Sequence, residues 1–253
     1  MIGLLKCEYR KTRRRYVLLT ALVITACELV FAFYGKYEGF ILENGWMSFL
    51  YQLPLINSIF FPVLSIVVAS RLCDIEHKGQ QLKLLCTMTE KGRLYDAKLL
   101  YGFGIVSVCL AVTFAAEIIF GKVMGFGGEL PVRLYLIYML FTAAPTFAVY
   151  VFQHTLSMLF KNQAIPFFAG VIGEFAGLFS MFLPQLPALR KAIIWGYYGV
   201  LQFVGLYGWT KETRYENAYF EIYDRDWTFF AVLVVLTVVM YLIGRKLFDM
   251  KEV

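Results

Sequence analysis

Six apolar runs, at residues 16–35, 49–70, 99–120, 134–160, 164–183 and 227–244, constrain this 253-residue chain more than any other feature. A helix rises 1.5 Å per residue, so about twenty apolar residues cross the roughly 30 Å hydrocarbon layer of a bilayer. The second run carries no charged residue. Charged residues make up only 17% of the chain, against about a quarter in soluble domains. The expectation is an all-α polytopic membrane protein with six transmembrane helices in a single domain spanning 1–253. Pro54, Pro62 and Pro145 fall inside runs, and Pro145 is expected to kink the fourth.

Charge sets the expected orientation. With a cytoplasmic N-terminus, 16 of the 24 Lys and Arg residues fall on the inner side. Glu212, Glu216, Glu221, Asp224 and Asp226 collect outside, before the last run. Both termini are then cytoplasmic. The basic residues sit at the ends of apolar runs, where anionic lipid meets them, so a nucleic-acid partner is not expected. The first run is longer than a signal-peptide core and no small-x-small site follows it, so it is read as a retained span. Residues 192–209 lack charge and are long enough for a seventh span, but that topology would reverse the charge rule for the acidic cluster and the C-terminal basic residues. Residues 183–226 are therefore expected to form re-entrant or interfacial helices on the outer side. The five cysteines include no CxxC pair, which speaks against a disulfide framework.

Two segments outside the runs have amphipathic patterns. In residues 1–15 and Tyr16, the residues Ile2, Leu5, Tyr9 and Tyr16 share one helical face with basic residues elsewhere, as expected of an elbow helix lying in the headgroup layer. Between spans two and three, residues 71–98, the residues Leu72, Ile75, Gly79, Leu82 and Cys86 repeat at three- and four-residue spacings. Such a stripe suits a cytoplasmic helix docked in a partner's groove, or one resting on the lipid surface. Within the runs, carboxylates are costly in hydrocarbon and normally face protein or water. Glu174 and Glu28 are candidates for a substrate path, whereas Glu117 is expected to reach the outer interface. Gly173-x-x-x-Gly177 matches a helix-packing pattern and is a candidate subunit contact. Cys73 and His77 are too few to hold a metal. No phosphate-cradling GxxxxGK[ST], GxSxG or HExxH occurs, so no catalytic residue is assigned and energy for any transport must come from another chain.

Three short fragments carry a resemblance. Leu4-Leu5-Lys6-x-Glu8 precedes a basic stretch and a span; Glu76-x-x-Gly79-x-x-Leu82-Lys83-Leu84-Leu85 precedes a basic turn; Lys98-Leu99 opens the third span. In these and in layout the chain resembles the type-2 ABC exporter permeases. In its length and lack of a fused ATPase it looks most like the lantibiotic-immunity permeases. The resemblance implies an elbow helix, a coupling helix after span two and re-entrant helices between spans five and six. It implies coupling to a dimeric cytoplasmic ATPase through Ile75, Glu76, Gly79, Leu82, Lys83 and Leu85. ATP and Mg would be held by that ATPase, with no cofactor on this chain. It further implies a second permease, identical or paralogous, and a bacterial plasma membrane location. An exporter of another peptide, drug or lipid-like substrate, and a non-transporting scaffold or sensor, remain the alternatives.

Overall fold

A computed structural model of the chain describes residues 1–78, 81–183, 185, 187–212 and 214–251, with Gln81 by its backbone alone. The chain forms a helical bundle: Ile2–Arg13 (α1), Val17–Phe33 (α2), Phe40–Glu43 (α3), Gly45–Lys78 (α4), Gln81–Met88 (α5), Lys91–Met124 (α6), Val132–Leu159 (α7), Ala164–Met181 (α8), Pro187–Ala192 (α9), Tyr197–Val200 (α10) and Trp227–Met250 (α11). Five of these are long and apolar enough to cross a membrane, and a sixth crossing follows if α1 and α2, bent by 69°, count as one span. The bend sits at Arg14-Arg15-Tyr16, where Tyr16 adopts a left-handed backbone conformation (φ 54°). Gly125, with φ 72°, closes α6 with a backbone conformation that glycine adopts without a Cβ clash.

The most enclosed helix is α4, which packs on α2, α6, α7 and α8; α8 and α11 are the least enclosed, with α11 lying on α6 and α7. Both α4 and α6 contain 34 residues, about 50 Å of helix, so each projects well beyond a 30 Å layer. Polar contacts gather the C-terminal ends of α4, α7 and α11, the N-terminal end of α6, and α1 at one end of the bundle. Examples are His77 Nε2 with the Ser157 carbonyl (3.0 Å) and Lys91 Nζ with the Lys251 carbonyl (2.7 Å). Sixteen of the 24 Lys and Arg residues belong to this end, hereafter the basic end. At the far end an aromatic cluster ties α2, α4 and α6 together, with Phe33 stacked on Phe120 (centroids 4.1 Å) and Phe49 edge-on to Phe126 of the loop after α6 (4.8 Å). Such clusters contribute beyond their area through ring geometry. Helix α7 runs from Val132 to Leu159 with Pro145 inside it.

The segment between α8 and α11 is not a seventh span. After α9, a 3-10 turn at Ile194–Gly196 and α10 dip between α4, α7 and α8, then the chain forms an antiparallel hairpin, Val204–Tyr207 (β1) and Tyr219–Ile222 (β2). The register pairs Val204 with Ile222 and Tyr207 with Tyr219. Trp195 reaches Gly173 and Gly177 near the middle of α8, and the Tyr198 hydroxyl meets Thr146 Oγ1 (2.9 Å) midway along α7. The expected helical excursion is thus accompanied by a hairpin that the pattern of residues 204–222 does not announce, because neither four-residue strand alternates cleanly between buried and exposed positions.

Candidate functional site at the basic end of the bundle

The basic end is organised by four charged side chains, three of them almost wholly buried: Glu8 on α1, Glu76 near the end of α4, and Lys98 in the second turn of α6. Lys98 Nζ donates to Glu8 Oε2 (2.8 Å) and to the Leu72 carbonyl (3.1 Å), and lies 3.1 Å from Glu76 Oε1. Lys11 completes the set, at 2.7 Å from Glu76 Oε1 and 3.4 Å from Glu8 Oε1. Two carboxylates face two ammonium groups, so the cluster is neutral as a whole. Buried ions persist in this way because each desolvated charge has an opposite partner and hydrogen bonds. Next to it, Thr12 Oγ1 and the Tyr101 hydroxyl are 2.7 Å apart, a second bond between α1 and α6.

Helical spacing explains why these residues converge. On α1, Glu8, Lys11 and Thr12 fall within one turn and a residue, on one face. That face turns into the bundle: Glu8 and Thr12 are buried and Leu5 beside them is half-buried, while Ile2 and Tyr9 are exposed. The elbow therefore packs through charges and leaves Ile2 and Tyr9 outward, where an amphipathic helix contacts lipid. On the other side of the basic end, Asp96 of α6 accepts from the Tyr241 hydroxyl (2.9 Å) and Arg245 Nε (3.2 Å) of α11.

The expectation for residues 71–98 is corrected by this arrangement. Only Gln81–Met88 forms a separate short helix, because α4 continues to Lys78 and α6 begins at Lys91. The extension of α4 follows from the burial of Leu72, Cys73, Glu76 and His77 against the bundle. Leu72 and Leu82 lie in this chain's own core, Leu85 and Cys86 pack against it, and Ile75 is half-buried. Glu76 and Leu82 are thus enclosed and cannot themselves form a contact surface. Gly79 lies outside the described residues. Of the six coupling candidates, Lys83 is exposed; with Leu84, Thr87 and Met88 it forms the outward face of α5, a set spaced one turn apart. Burial pushes the Cys86 thiol above its ordinary range, which lowers the fraction of reactive thiolate.

The intramembrane acids separate into two environments. Glu28 is buried and accepts from Thr113 Oγ1 (2.9 Å), bonding α2 to α6. Glu117, expected at an interface, is instead fully buried, accepts from the Tyr138 hydroxyl (3.0 Å), and is linked through it to Asn57 Nδ2 (2.7 Å). Long-range contacts on three helices enclose it, and no local sequence signal marks them. Glu174 is half-buried on α8 and makes no hydrogen bond or ion pair with a described residue. Gly173 and Gly177 are filled from within: a Cβ on Gly173 would lie 2.5 Å from the Trp195 ring, and one on Gly177 2.4 Å from Trp195 Cβ. The expected subunit contact is therefore corrected to a contact with the chain's own 3-10 turn. Three short motif fragments distant in sequence, around Glu8, Glu76 and Lys98, meet in one buried cluster; their residue types were visible, but their pairing was not.

No curated protein matches the chain. The family model described as ABC-2 family transporter protein matches residues 4–177, which covers α1 to most of α8 and includes Glu8, Glu76 and Lys98. With five to six membrane-crossing helices and a match over more than half its length, the chain belongs to the ABC-2 family of transporter proteins.

Proposed function

We propose that the chain is the membrane-spanning permease subunit of an ATP-driven exporter, driven by a dimeric cytoplasmic ATPase that docks on α5. The observation that carries this reading is mechanical. The two longest helices, α4 and α6, flank α5 in the chain, and the Glu8–Lys98–Glu76–Lys11 cluster binds both of them to α1. A push on the outward face of α5 is thereby transmitted to two spans and to the elbow together. Such rigid-element displacement between two packed arrangements needs no chemical step in this chain. On this reading both termini and the basic end are cytoplasmic in a bacterial plasma membrane, supported by the distribution of Lys and Arg. A second permease, identical or paralogous, completes the transporter.

The substrate we propose is a lantibiotic or similar cationic antimicrobial peptide, removed from the membrane as self-protection. Support comes from the resemblance in length and layout, and from Glu174, a half-buried carboxylate on α8 that makes no hydrogen bond or ion pair with a described residue. Purification from mild detergent should recover an ATP-binding subunit with the chain, and deleting the gene should raise sensitivity to such a peptide. Recovery of the intact chain without an ATP-binding partner would point to a scaffold or sensor instead. Copurification with unchanged peptide sensitivity would keep the exporter and remove the substrate.

A further inference from the structure

A crevice of about 420 Å³ opens between α6 and α11 just inside the basic end. Its walls are Leu99, Leu100 and Phe103 on one side and Val238 on the other, with Met1 at the start of α1 and Val151 of α7 also lining it. Thr237 also lines it, but its hydroxyl donates to the Leu233 carbonyl (2.7 Å) and so is already satisfied. Polarity is confined to one end, where Asp96 meets Tyr241 and Arg245. Both carboxylate oxygens of Asp96 are engaged there. The distance along α6 from Asp96 to Phe103 is about 10 Å at 1.5 Å per residue. The apolar part of the crevice thus runs about 10 Å along α6 from its polar end.

We propose that this crevice binds an anionic phospholipid of the basic-end leaflet, one acyl chain lying between α6 and α11 and the phosphate meeting Arg93 and Arg245. Two observations select this occupant. Leu100, Val238 and Leu242 beside the opening are exposed apolar side chains of membrane-crossing helices, so the crevice is continuous with the lipid-facing surface. At the polar end Arg93 and Arg245 stand against Asp96, a basic excess that attracts anionic headgroups. Arg93 is three residues before Asp96, a spacing that places it on the crevice side of α6, and Arg245 is four after Tyr241, on the crevice side of α11. Apolar chain and anionic head are thus matched by wall and rim.

The test uses the purified transporter in nanodiscs of phosphatidylcholine with a trace of phosphatidylglycerol carrying a photoreactive acyl chain. Adducts mapped by mass spectrometry should concentrate on residues 99–103, 151 and 237–241, several-fold above those on the lipid-facing Phe168, Ile172 and Phe175 of α8. Unlabelled phosphatidylglycerol should compete better than phosphatidylcholine, and Arg93→Gln should weaken that preference. Leu100→Phe with Val238→Phe should fill the crevice and abolish the excess adducts without lowering the melting temperature. Equal labelling of crevice and α8 would overturn the site in favour of ordinary boundary lipid, and this comparison needs no variant. Absence of headgroup preference, or crosslinking of two copies through Val238, would also overturn it.

Discussion

Lys98→Met keeps most of the side-chain length and removes one charge from the centre of the buried cluster. Lys98 contacts Glu8 at 2.8 Å and Glu76 at 3.1 Å and is fully enclosed. At an effective dielectric near 20, an ion contact of this length carries about 5 kcal/mol of attraction. Burying each ion costs several kcal/mol in the opposite direction, so the intact cluster contributes little net stability. Removing only the cation is different, because Glu8 and Glu76 stay buried and must share Lys11. The expected loss is about 3–5 kcal/mol. Lys78→Met is the control: its ion pair with Asp74 is at the surface, with Lys78 71% exposed, and its loss should stay below about 1 kcal/mol. Unfolding in mixed detergent micelles measures both. Adding Glu8→Gln to Lys98→Met should recover part of the loss, since Lys11 and Glu76 then form a balanced pair at 2.7 Å. Equal effects of Lys98→Met and Lys78→Met, or no recovery in the double variant, would refute the reasoning.

Leu84→Asp with Met88→Asp, on the outward face of α5, should abolish ATPase copurification and leave the melting temperature unchanged, whereas Leu82→Asp should lower the yield of folded protein because its site is buried. Gly177→Leu should cost about 1–3 kcal/mol in the single chain, as overpacking against Trp195 does, and a chain of normal stability with altered oligomeric state would instead favour a subunit contact. With the exposed Cys7 and Cys27 replaced, Asn217→Cys should react with an impermeant thiol reagent on intact cells and Thr87→Cys should not; the reverse pattern would invert the proposed orientation. Glu174→Gln should lower peptide resistance at normal expression, and full resistance in this variant would exclude a charge-dependent role for Glu174.

The sequence by itself determined the class of fold, because apolar runs of membrane length have no other stable use and each is a local property of its own residues. It also located the elbow, since α1 ends where Arg13-Arg14-Arg15 interrupts the apolar pattern. What it could not decide were relations between distant segments. The helical wheel of α1 set Ile2, Leu5 and Tyr9 apart from the basic residues, yet only the juxtaposition with Glu76 and Lys98 determined that Glu8, Lys11 and Thr12 turn inward while Lys6 and Arg10 stay exposed. The stripe from Leu72 to Cys86 looked like a surface for a partner because periodicity reports that a face is buried, not against what. Gly173 and Gly177 likewise signal a close approach, and which group approaches depends on how residues 187–200 fold back. Ion pairs and close approaches of this kind are set by positions up to 149 residues apart in the chain, which bear no fixed spacing to one another. Only the tertiary structure fixes them.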